Sequence, residues 1–250
     1  MDISKPEFEN LTSFYTLIGQ NSEIGEYLKN EFITHCKGRN SIWPNAMWID
    51  DYFGLSNERL TTFLGQYRKS DKRAMLLLPS DPDFQANAAG NGWIKLYQWQ
   101  GMTIGISSLQ RYETDPILKF SLVNDEQTAT QWLNFVSTHL FNRGQLNIKM
   151  FDFLRDNGCQ LISLILNEQI IGSTLIYYDP NGVAGVFMVC VDKEFQGKGF
   201  GKQLMNFSFR LMQNKGIRNC VLQSTKEGQN LYRSIGFQDT MIHELYIKYK

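Results

Sequence analysis

The sequence contains few cysteines, and their arrangement excludes two classes of protein. Only four of the 250 residues are cysteine, and they are Cys36, Cys159, Cys190 and Cys220. None forms a CxxC pair or lies at zinc-ligand spacing from a histidine, so we expect neither a disulfide framework nor a bound metal. Cys190 and Cys220 lie in apolar runs, where cysteine usually acts as a small core residue. This content is typical of a reducing compartment, and we expect a cytoplasmic location.

The sequence also lacks an excess of charge and a long apolar stretch. Lys and Arg together number 25, as do Asp and Glu, so the formal net charge is zero. A neutral chain is not typical of a general nucleic-acid binder or of a polybasic membrane binder. No uncharged apolar stretch approaches the roughly 18 residues that cross a bilayer, and the segment MDISKPEFEN has no apolar signal core. We therefore expect no nucleic-acid partner and no membrane association.

Residues 116–250 show the clearer pattern of secondary structure. The predicted order is β-α-α-β-β-β-α-β-α-β-β, with Asn124 or Asp125 as the cap of the first helix. The DPNG segment, Asp179 to Gly182, predicts a turn between two strands. An antiparallel meander followed by a β-α-β crossover predicts an α/β fold with a mixed sheet that contains one parallel pair.

Residues 1–115 are predicted to form a second, smaller α/β domain, with a boundary near Thr114–Pro116. Helical patterns cover about 6–18, 22–36 and 57–68, and strand patterns cover 75–78, 93–99 and 102–107. Trp93 and Trp99 are expected in the core or at the interface between the two domains.

The most informative segment is VFMVCVDKEFQGKGFGKQLM, residues 186–205, in which a glycine-rich loop separates an apolar strand from an amphipathic helix. Glycine permits positive φ and lets backbone N–H groups approach a ligand closely. The N-terminus of a helix adds unpaired N–H groups and a positive dipole end, so this loop predicts a phosphate site. The spacing fits neither a Walker A loop nor a Rossmann fingerprint, because Gln203 follows Lys202 and no GxGxxG is complete.

Two motifs do match a known pattern. The loop fits Q-x-x-G-x-G over 196–201, and LYRSIGF, residues 231–237, follows one helix and one strand later. Together they resemble the pyrophosphate motif and the LYxxxGF signature of the GNAT superfamily, the CoA-dependent N-acetyltransferases. The resemblance covers about 117–250 and implies the GNAT fold there. The N-terminal half is expected to be a degenerate copy without a CoA site, since NAAGNGW has neither the glycine spacing nor the basic residues.

The resemblance implies a role for each residue of the motifs. Tyr232 corresponds to the tyrosine beside the thioester sulfur, which assists departure of the thiolate. Main-chain groups of Val189 and Val191 are implied to bind the pantetheine arm, and Thr225, which stands where the family often has Asn, to hydrogen-bond it. The residues implied to wrap the pyrophosphate are Gln196, Gly197, Lys198, Gly199, Phe200, Gly201 and Lys202.

Two departures from the family pattern leave alternatives open. Gly228 stands where the family often has Ala, and the fourth strand of the fold carries no Glu to act as general base. The alternative bases are Asp179, His243, Glu244 and a water relay. We expect an acyltransferase that transfers the acetyl group of acetyl-CoA to a primary amine, more readily a small molecule than a protein. The alternative is a non-catalytic CoA-binding or regulatory module, and the oligomeric state stays open.

Overall fold

The structure is a computed structural model, and it describes residues 3–67, 75–107, 109 and 114–248. The elements of the N-terminal half are α1 (Ser4–Gln20), β1 (Gly25–Lys29), β2 (Ile33–Gly38), β3 (Asn45–Ile49), α2 (Asn57–Gln66), β4 (Met75–Pro79), α3 (Pro82–Gly90) and β5 (Trp93–Gly105). Those of the C-terminal half are β6 (Lys119–Leu122), α4 (Glu126–Leu140), α5 (Ile148–Asp156), β7 (Gln160–Leu166), β8 (Gln169–Tyr178), β9 (Val183–Val191), α6 (Phe200–Asn214), β10 (Asn219–Ser224), α7 (Gln229–Ile235) and β11 (Gln238–Lys248).

In the described part of the chain, eleven strands form one mixed sheet in the order β1-β2-β3-β4-β11-β5-β10-β9-β8-β7-β6. The pairs β3–β4 and β9–β10 are parallel. The meander β7-β8-β9 and the crossover through α6 confirm the predicted α/β class and the parallel pair of the C-terminal half. Asp125 caps α4, since its side chain accepts from the backbone N–H of Thr128.

The two halves of the chain exchange strands within this sheet. Strand β5 lies between β10 and β11, and β11 lies between β4 and β5. Both pairings of β11 are antiparallel, and the longer one runs along β5. The predicted domain boundary at residue 115 therefore divides the sequence, but strands from both sides of it form one sheet. The division into two domains stays a prediction. Residues 110–113, just before it, lie outside the described residues.

Helices cover both faces of the sheet around β9 and β10. Phe14 of α1 and Trp132 of α4 share one buried core with Phe187 of β9. Leu204 of α6 belongs to the core on the opposite face, together with Val186 of β9. Alternate residues of a strand point to opposite faces, so β9 contributes to both cores. Helix α1 also packs against β5, β10 and β11.

One predicted helix is wrong: residues 22–36 form β1 and β2 instead. The apolar spacing suggests a helix, but Gly25 lowers helical stability by about 1 kcal/mol relative to Ala. Asn30 then closes a turn, because its side-chain oxygen accepts from the N–H groups of Phe32 and Ile33. The helix predicted at 57–68 is α2, and Arg68 lies outside the described residues.

Two pairs of predicted strands also need correction. The strands predicted at 93–99 and 102–107 are the single strand β5, and the last two strands of the predicted order are the single strand β11. Gly101 lies within β5 without ending it, because the missing side chain leaves space for the Glu7 carboxylate. A bulge between Asp239 and Ile242 bends β11 without ending it. Strand β3 and helix α3 have no predicted counterpart.

Candidate active site

Strands β9 and β10 pair over a short distance and then separate. The pairs that join them are Asn219–Val183, Cys220–Ala184 and Val221–Gly185. Beyond them, β10 continues to Ser224 and β9 to Val191, with no further pair between the described residues of the two strands. The separation leaves a cleft whose borders carry strand-edge N–H and C=O groups, which an extended ligand can pair with.

A bulge in β9 lies on the border of this cleft. The register with β8 shifts between the pairs Ser173–Cys190 and Leu175–Phe187, and Met188 adopts a φ of 53°. A bulge leaves one residue out of the ladder and turns its backbone groups aside. The Ser173 hydroxyl donates to the Met188 carbonyl at 2.9 Å and fixes this geometry.

The glycine-rich loop follows β9 and opens α6. Gly197 and Gly199 have φ values of 76° and 80°, and a Cβ added to either would meet nothing within 4 Å. Gly199 is the N-cap of α6 and has no side chain to occupy the first N–H groups of the helix. An open cradle at the positive end of a 15-residue helix suits a pyrophosphate, so these residues fit CoA.

The other loop residues have different local roles. The Gln196 amide donates to the Val191 carbonyl at 2.8 Å and ties the loop back to β9. The Lys198 ammonium is exposed and lies 5.1 Å from the centre of the Phe195 ring. Phe200 is buried in the core beneath α6, and Lys202 follows in the first turn. A Cβ on Gly201 would lie 2.9 Å from Leu231 Cδ2. Gly201 therefore allows α7 to approach α6 closely.

Tyr232 of α7 is buried in the core beneath α6. Burial raises the pKa of its phenol, and the thiols of Cys220 on β10 and Cys190 on β9 add to the rise. Its hydroxyl has no hydrogen-bond partner among the residues that the structure describes. A Cβ at Gly228 would lie 3.1 Å from Tyr232 Cε2 and 2.9 Å from Ser224 Oγ. Gly228, which stands where the family often has alanine, therefore leaves the space that the Tyr232 ring occupies.

Thr225 and the two valines border the same cleft. Thr225 is exposed just after β10. A backbone N–H and, to a lesser degree, the Thr225 side chain lower the pKa of the Glu227 carboxyl. Val189 and Val191 are half-buried and pack against the core beneath α6. The structure thus brings the predicted loop, strand and tyrosine residues together around one cleft. Their roles in binding stay predictions.

The structure gives two of the three alternative bases other roles. Asp179 accepts from the N–H groups of Asn181 and Val183 and so holds the turn before β9. It lies roughly 20 Å from Val189, at about 3.3 Å per strand residue. Glu244 is buried, and its carboxylate accepts from Lys95, Gln85, Ser80 and Tyr246. Its partners come from the neighbouring elements: Ser80 follows β4, and the others lie on α3, β5 and β11.

His243 is the third alternative, and it lies in a buried polar cluster. Its Nε2 is 2.8 Å from Glu7 Oε2, and its Nδ1 is 2.8 Å from the Tyr52 hydroxyl. Both ring nitrogens are engaged, so His243 cannot also contact a substrate. Glu7 and Tyr52 could not be predicted from the sequence, because they meet His243 only through long-range packing. The bulge at Met188 also has no signal in the sequence.

No group of three or more His, Cys, Asp or Glu side chains in the described ranges is arranged to hold a metal ion. None of the described helices has the length and apolar character needed to span a membrane. All four cysteines are free thiols.

A parallel strand pair that separates beside a glycine-opened helix is the arrangement of the GNAT fold, and comparisons with known proteins agree. Residues 125–237 match the model of the acetyltransferase (GNAT) family. The matched residues contain both motifs of the C-terminal half, so the match agrees with the resemblance that these motifs indicate. No curated protein matches the sequence.

Solved structures extend the likeness of fold to the whole chain. A GCN5-related N-acetyltransferase from Kribbella flavida has a TM-score of 0.73 at 10% identity, over 100% of this chain and 97% of that one. A putative GNAT-family acetyltransferase from Novosphingobium aromaticivorans has a TM-score of 0.58 at 14% identity, over 95% and 96%. A tandem GNAT protein from the clavulanic acid biosynthesis pathway has a TM-score of 0.54 at 11% identity, over 96% and 94%. At these identities the likeness concerns the fold alone.

Proposed function

We propose that the protein is an N-acetyltransferase that moves the acetyl group of acetyl-CoA to a primary amine of a small molecule. The observation that carries this proposal is the cleft between β9 and β10, which ends at the open cradle formed by Gly197 and Gly199. One end of the site suits a pyrophosphate, and its middle offers unpaired strand edges to an amide-containing arm. A cytoplasmic location, with no nucleic-acid or membrane partner, is part of the same proposal.

The chain's own residues account for the steps of direct transfer. Acetyl-CoA supplies an activated thioester. Backbone N–H groups of 197–202 hold its pyrophosphate, and those of Val189 and Val191 hold its pantetheine arm. The N–H at the Met188 bulge stabilises negative charge on the carbonyl oxygen. Tyr232 keeps its proton because burial raises its pKa, so it can donate to the departing sulfur. Holding both reactants in one cleft supplies most of the rate advantage.

The N-terminal half is part of the proposal as a degenerate copy of the same fold. Its order β1-β2-β3-α2-β4-α3-β5 repeats β7-β8-β9-α6-β10-α7-β11, and each half has one parallel pair joined by a crossover helix. The loop between β3 and α2, DDYFGLS, has no paired glycines, and the buried Tyr52 ring packs in the core beneath α1. We propose that this half binds no CoA and walls the acceptor side through α1.

One observation favours the alternative of a CoA-binding module without turnover. Strand β9 carries no carboxylate, and all three side chains considered as alternative bases are engaged elsewhere. The hydroxyl of Tyr232, which has no hydrogen-bond partner among the described residues, favours the enzyme. A water molecule that takes the proton of the amine is enough for an acceptor that is already partly neutral.

Calorimetric titration with acetyl-CoA, followed by thiol release in the presence of a panel of amines, tests the proposal. The panel would contain glucosamine, spermidine, tyramine and a lysine peptide. We expect micromolar binding and turnover with a small amine. Binding without thiol release on any amine would support the module instead, and absence of binding would contradict both functions.

A further inference from the structure

A second polar feature borders the cleft on the α1 side, and it involves Gln223 of β10. The last pair between β9 and β10 is Val221–Gly185, so Gln223 lies in the separated part of β10. Leu222 points into the core beneath α6, and Gln223, its neighbour, points to the opposite face. There its side-chain amide donates to Glu7 Oε1 of α1. Gln223 is only partly buried, so its end can reach a bound molecule.

The Glu7 carboxylate is fixed from several sides. Glu7 is fully buried, and Oε2 accepts from His243 Nε2 at 2.8 Å and from the Thr240 hydroxyl at 3.3 Å. A Cβ on Gly101 would lie 2.3 Å from Oε2, so the carboxylate rests directly on the backbone of β5. A buried carboxylate is retained when its oxygens are all satisfied in this way.

Contacts with Tyr52 and Phe8 hold the His243 ring in place. The Tyr52 hydroxyl lies 2.8 Å from His243 Nδ1, and burial raises the pKa of that phenol, with Glu7 and Glu244 adding to the rise. Tyr52 therefore keeps its proton, and Nε2 of His243 carries a proton that it donates to Glu7, since a carboxylate only accepts. The Phe8 ring stacks on Tyr52 at 3.8 Å and fixes its position. The cluster joins α1, the segment after β3, and β11.

The carboxylate dictates which way the Gln223 amide faces. A carboxylate only accepts hydrogen bonds, so the NH₂ group of Gln223 must face Glu7. The amide oxygen is then held on the other side, and it has no partner within the described ranges. The Gln223 amide could otherwise turn either its NH₂ group or its oxygen toward the cleft. With Glu7 in place, it turns only the oxygen, a hydrogen-bond acceptor.

We infer that Glu7, acting through Gln223, positions the acceptor amine for attack. The Gln223 Oε1 atom accepts a hydrogen bond from an N–H of the amine, and it stabilises the positive charge that develops on nitrogen as the C–N bond forms. This inference rests on the proposed function. The site selects for nucleophiles that carry N–H donors and against anionic groups, since the buried Glu7 carboxylate lies behind the amide. Gln223 contacts the substrate, and Glu7 is a positioning residue.

The test uses the full chain, acetyl-CoA and hydroxylamine as the probe nucleophile, with acetohydroxamate measured above the protein-free rate. Glu7→Gln can donate to Gln223 and so frees its amide to flip, while Gln223→Met removes the amide at similar length. We expect each variant to lower kcat/KM for hydroxylamine by about tenfold or more, which is the effect of losing one well-placed hydrogen bond. Acetyl-CoA affinity should stay within about twofold of the wild-type value.

Glu244→Gln is the matched control. Glu244 is the neighbour of His243 on β11, it is equally buried, and it also holds a polar cluster, but its side chain lies on the opposite face. Its melting temperature should fall as much as that of Glu7→Gln, with kcat/KM near the wild-type value. Should Glu7→Gln not fold, Gln223→Met carries the test alone.

The outcomes separate this inference from the proposed function. A wild-type protein that forms no acetohydroxamate overturns both. An active wild-type protein whose Glu7 and Gln223 variants match the Glu244 control overturns only the role of Glu7 and Gln223. A loss of acetyl-CoA affinity that parallels the loss of kcat/KM also overturns it, because the cluster would then act on the CoA side of the cleft.

Discussion

The environment of Tyr232 suits a proton donor better than a purely structural ring. The ring packs edge-on against Phe237 at 5.5 Å, which a phenylalanine could also do. The hydroxyl, in contrast, is without a partner in the described structure and lies near the thiols of both bordering strands. Burial keeps the phenol protonated, because it disfavours the charged form. A neutral donor of this kind is available at any pH at which the fold is stable.

We predict that Tyr232→Phe lowers kcat by at least about 10²-fold, the lower range for general acid catalysis. The ring stays in place, so acetyl-CoA affinity and melting temperature should change little. The raised pKa of Tyr232 also means that wild-type kcat should rise with pH as free amine accumulates and should not fall before about pH 10. Normal turnover in Tyr232→Phe would remove the proposed acid and leave the CoA site unaffected.

Gly101 provides a second test at the level of a single residue. We predict that Gly101→Ala destabilises the protein by about 1–3 kcal/mol, because its Cβ would overlap the Glu7 carboxylate and Thr240 Oγ1. Gly105 lies on the same strand, and a Cβ there would meet nothing within 4 Å. Gly105→Ala should therefore be neutral or slightly stabilising. Equal melting temperatures for the two variants would show that Glu7 does not rest on β5.

Helix α6 carries a left-handed glycine at both ends, but the two ends have different tasks. Gly199 precedes the helix at a φ of 80°, and Gly216 follows it at 75°. Neither has an atom within 4 Å of an added Cβ. Both positions require a positive φ, but only Gly199 faces the proposed pyrophosphate.

We predict that Gly199→Val lowers acetyl-CoA affinity by at least about 100-fold, since the branched side chain fills the cradle and disfavours positive φ. Gly216→Val carries the same backbone strain and should lower the melting temperature by a similar amount without changing affinity. Calorimetric titration and thermal unfolding measure the two effects. Unchanged affinity in Gly199→Val would contradict the assignment of the loop to pyrophosphate.

The elements around the loop were predictable from sequence because their signals are local. The glycine spacing at 197–201, the DPNG turn and the Asp125 cap each lie within a few residues of the structure that they determine. Glu7 and Gln223 are separated by most of the chain, and no short pattern relates them. The helix predicted at 22–36 failed because Asn30 uses its side chain to close a hairpin, which apolar periodicity does not detect.

At the scale of the whole molecule, neither half has a complete sheet of its own. Without β5, the C-terminal half has no strand between β10 and β11. Without β11, the N-terminal half has no strand to pair with the free edge of β4. Helix α1 adds to this dependence, because Phe14 belongs to the same core as Trp132 and Phe187. The exchange could not be inferred from sequence, since two strands predicted in the same half need not pair within it.

We predict that the isolated segment 117–250 is insoluble or inactive, because β10 and β11 would each expose an unpaired edge. Expression of 1–116 and 117–250 as two chains in one cell should restore solubility and acetyl-CoA binding, as β5 can then take its place. Solubility, binding and thiol release would be compared with those of the intact chain. A segment 117–250 that acetylates the same amine as efficiently would refute the dependence on β5.

The strand exchange also determines when the protein can finish folding during its synthesis. Strand β5 ends at Gly105, and the strand that pairs along its length begins only at Gln238. The nascent N-terminal half therefore leaves the ribosome with β4 open on one side and β5 open on both, and β4 must wait for β11. Contacts between such distant segments form slowly, and unpaired edges invite aggregation while they persist. A protein built in this way depends on chaperones or on fast translation more than a chain of two self-contained domains does.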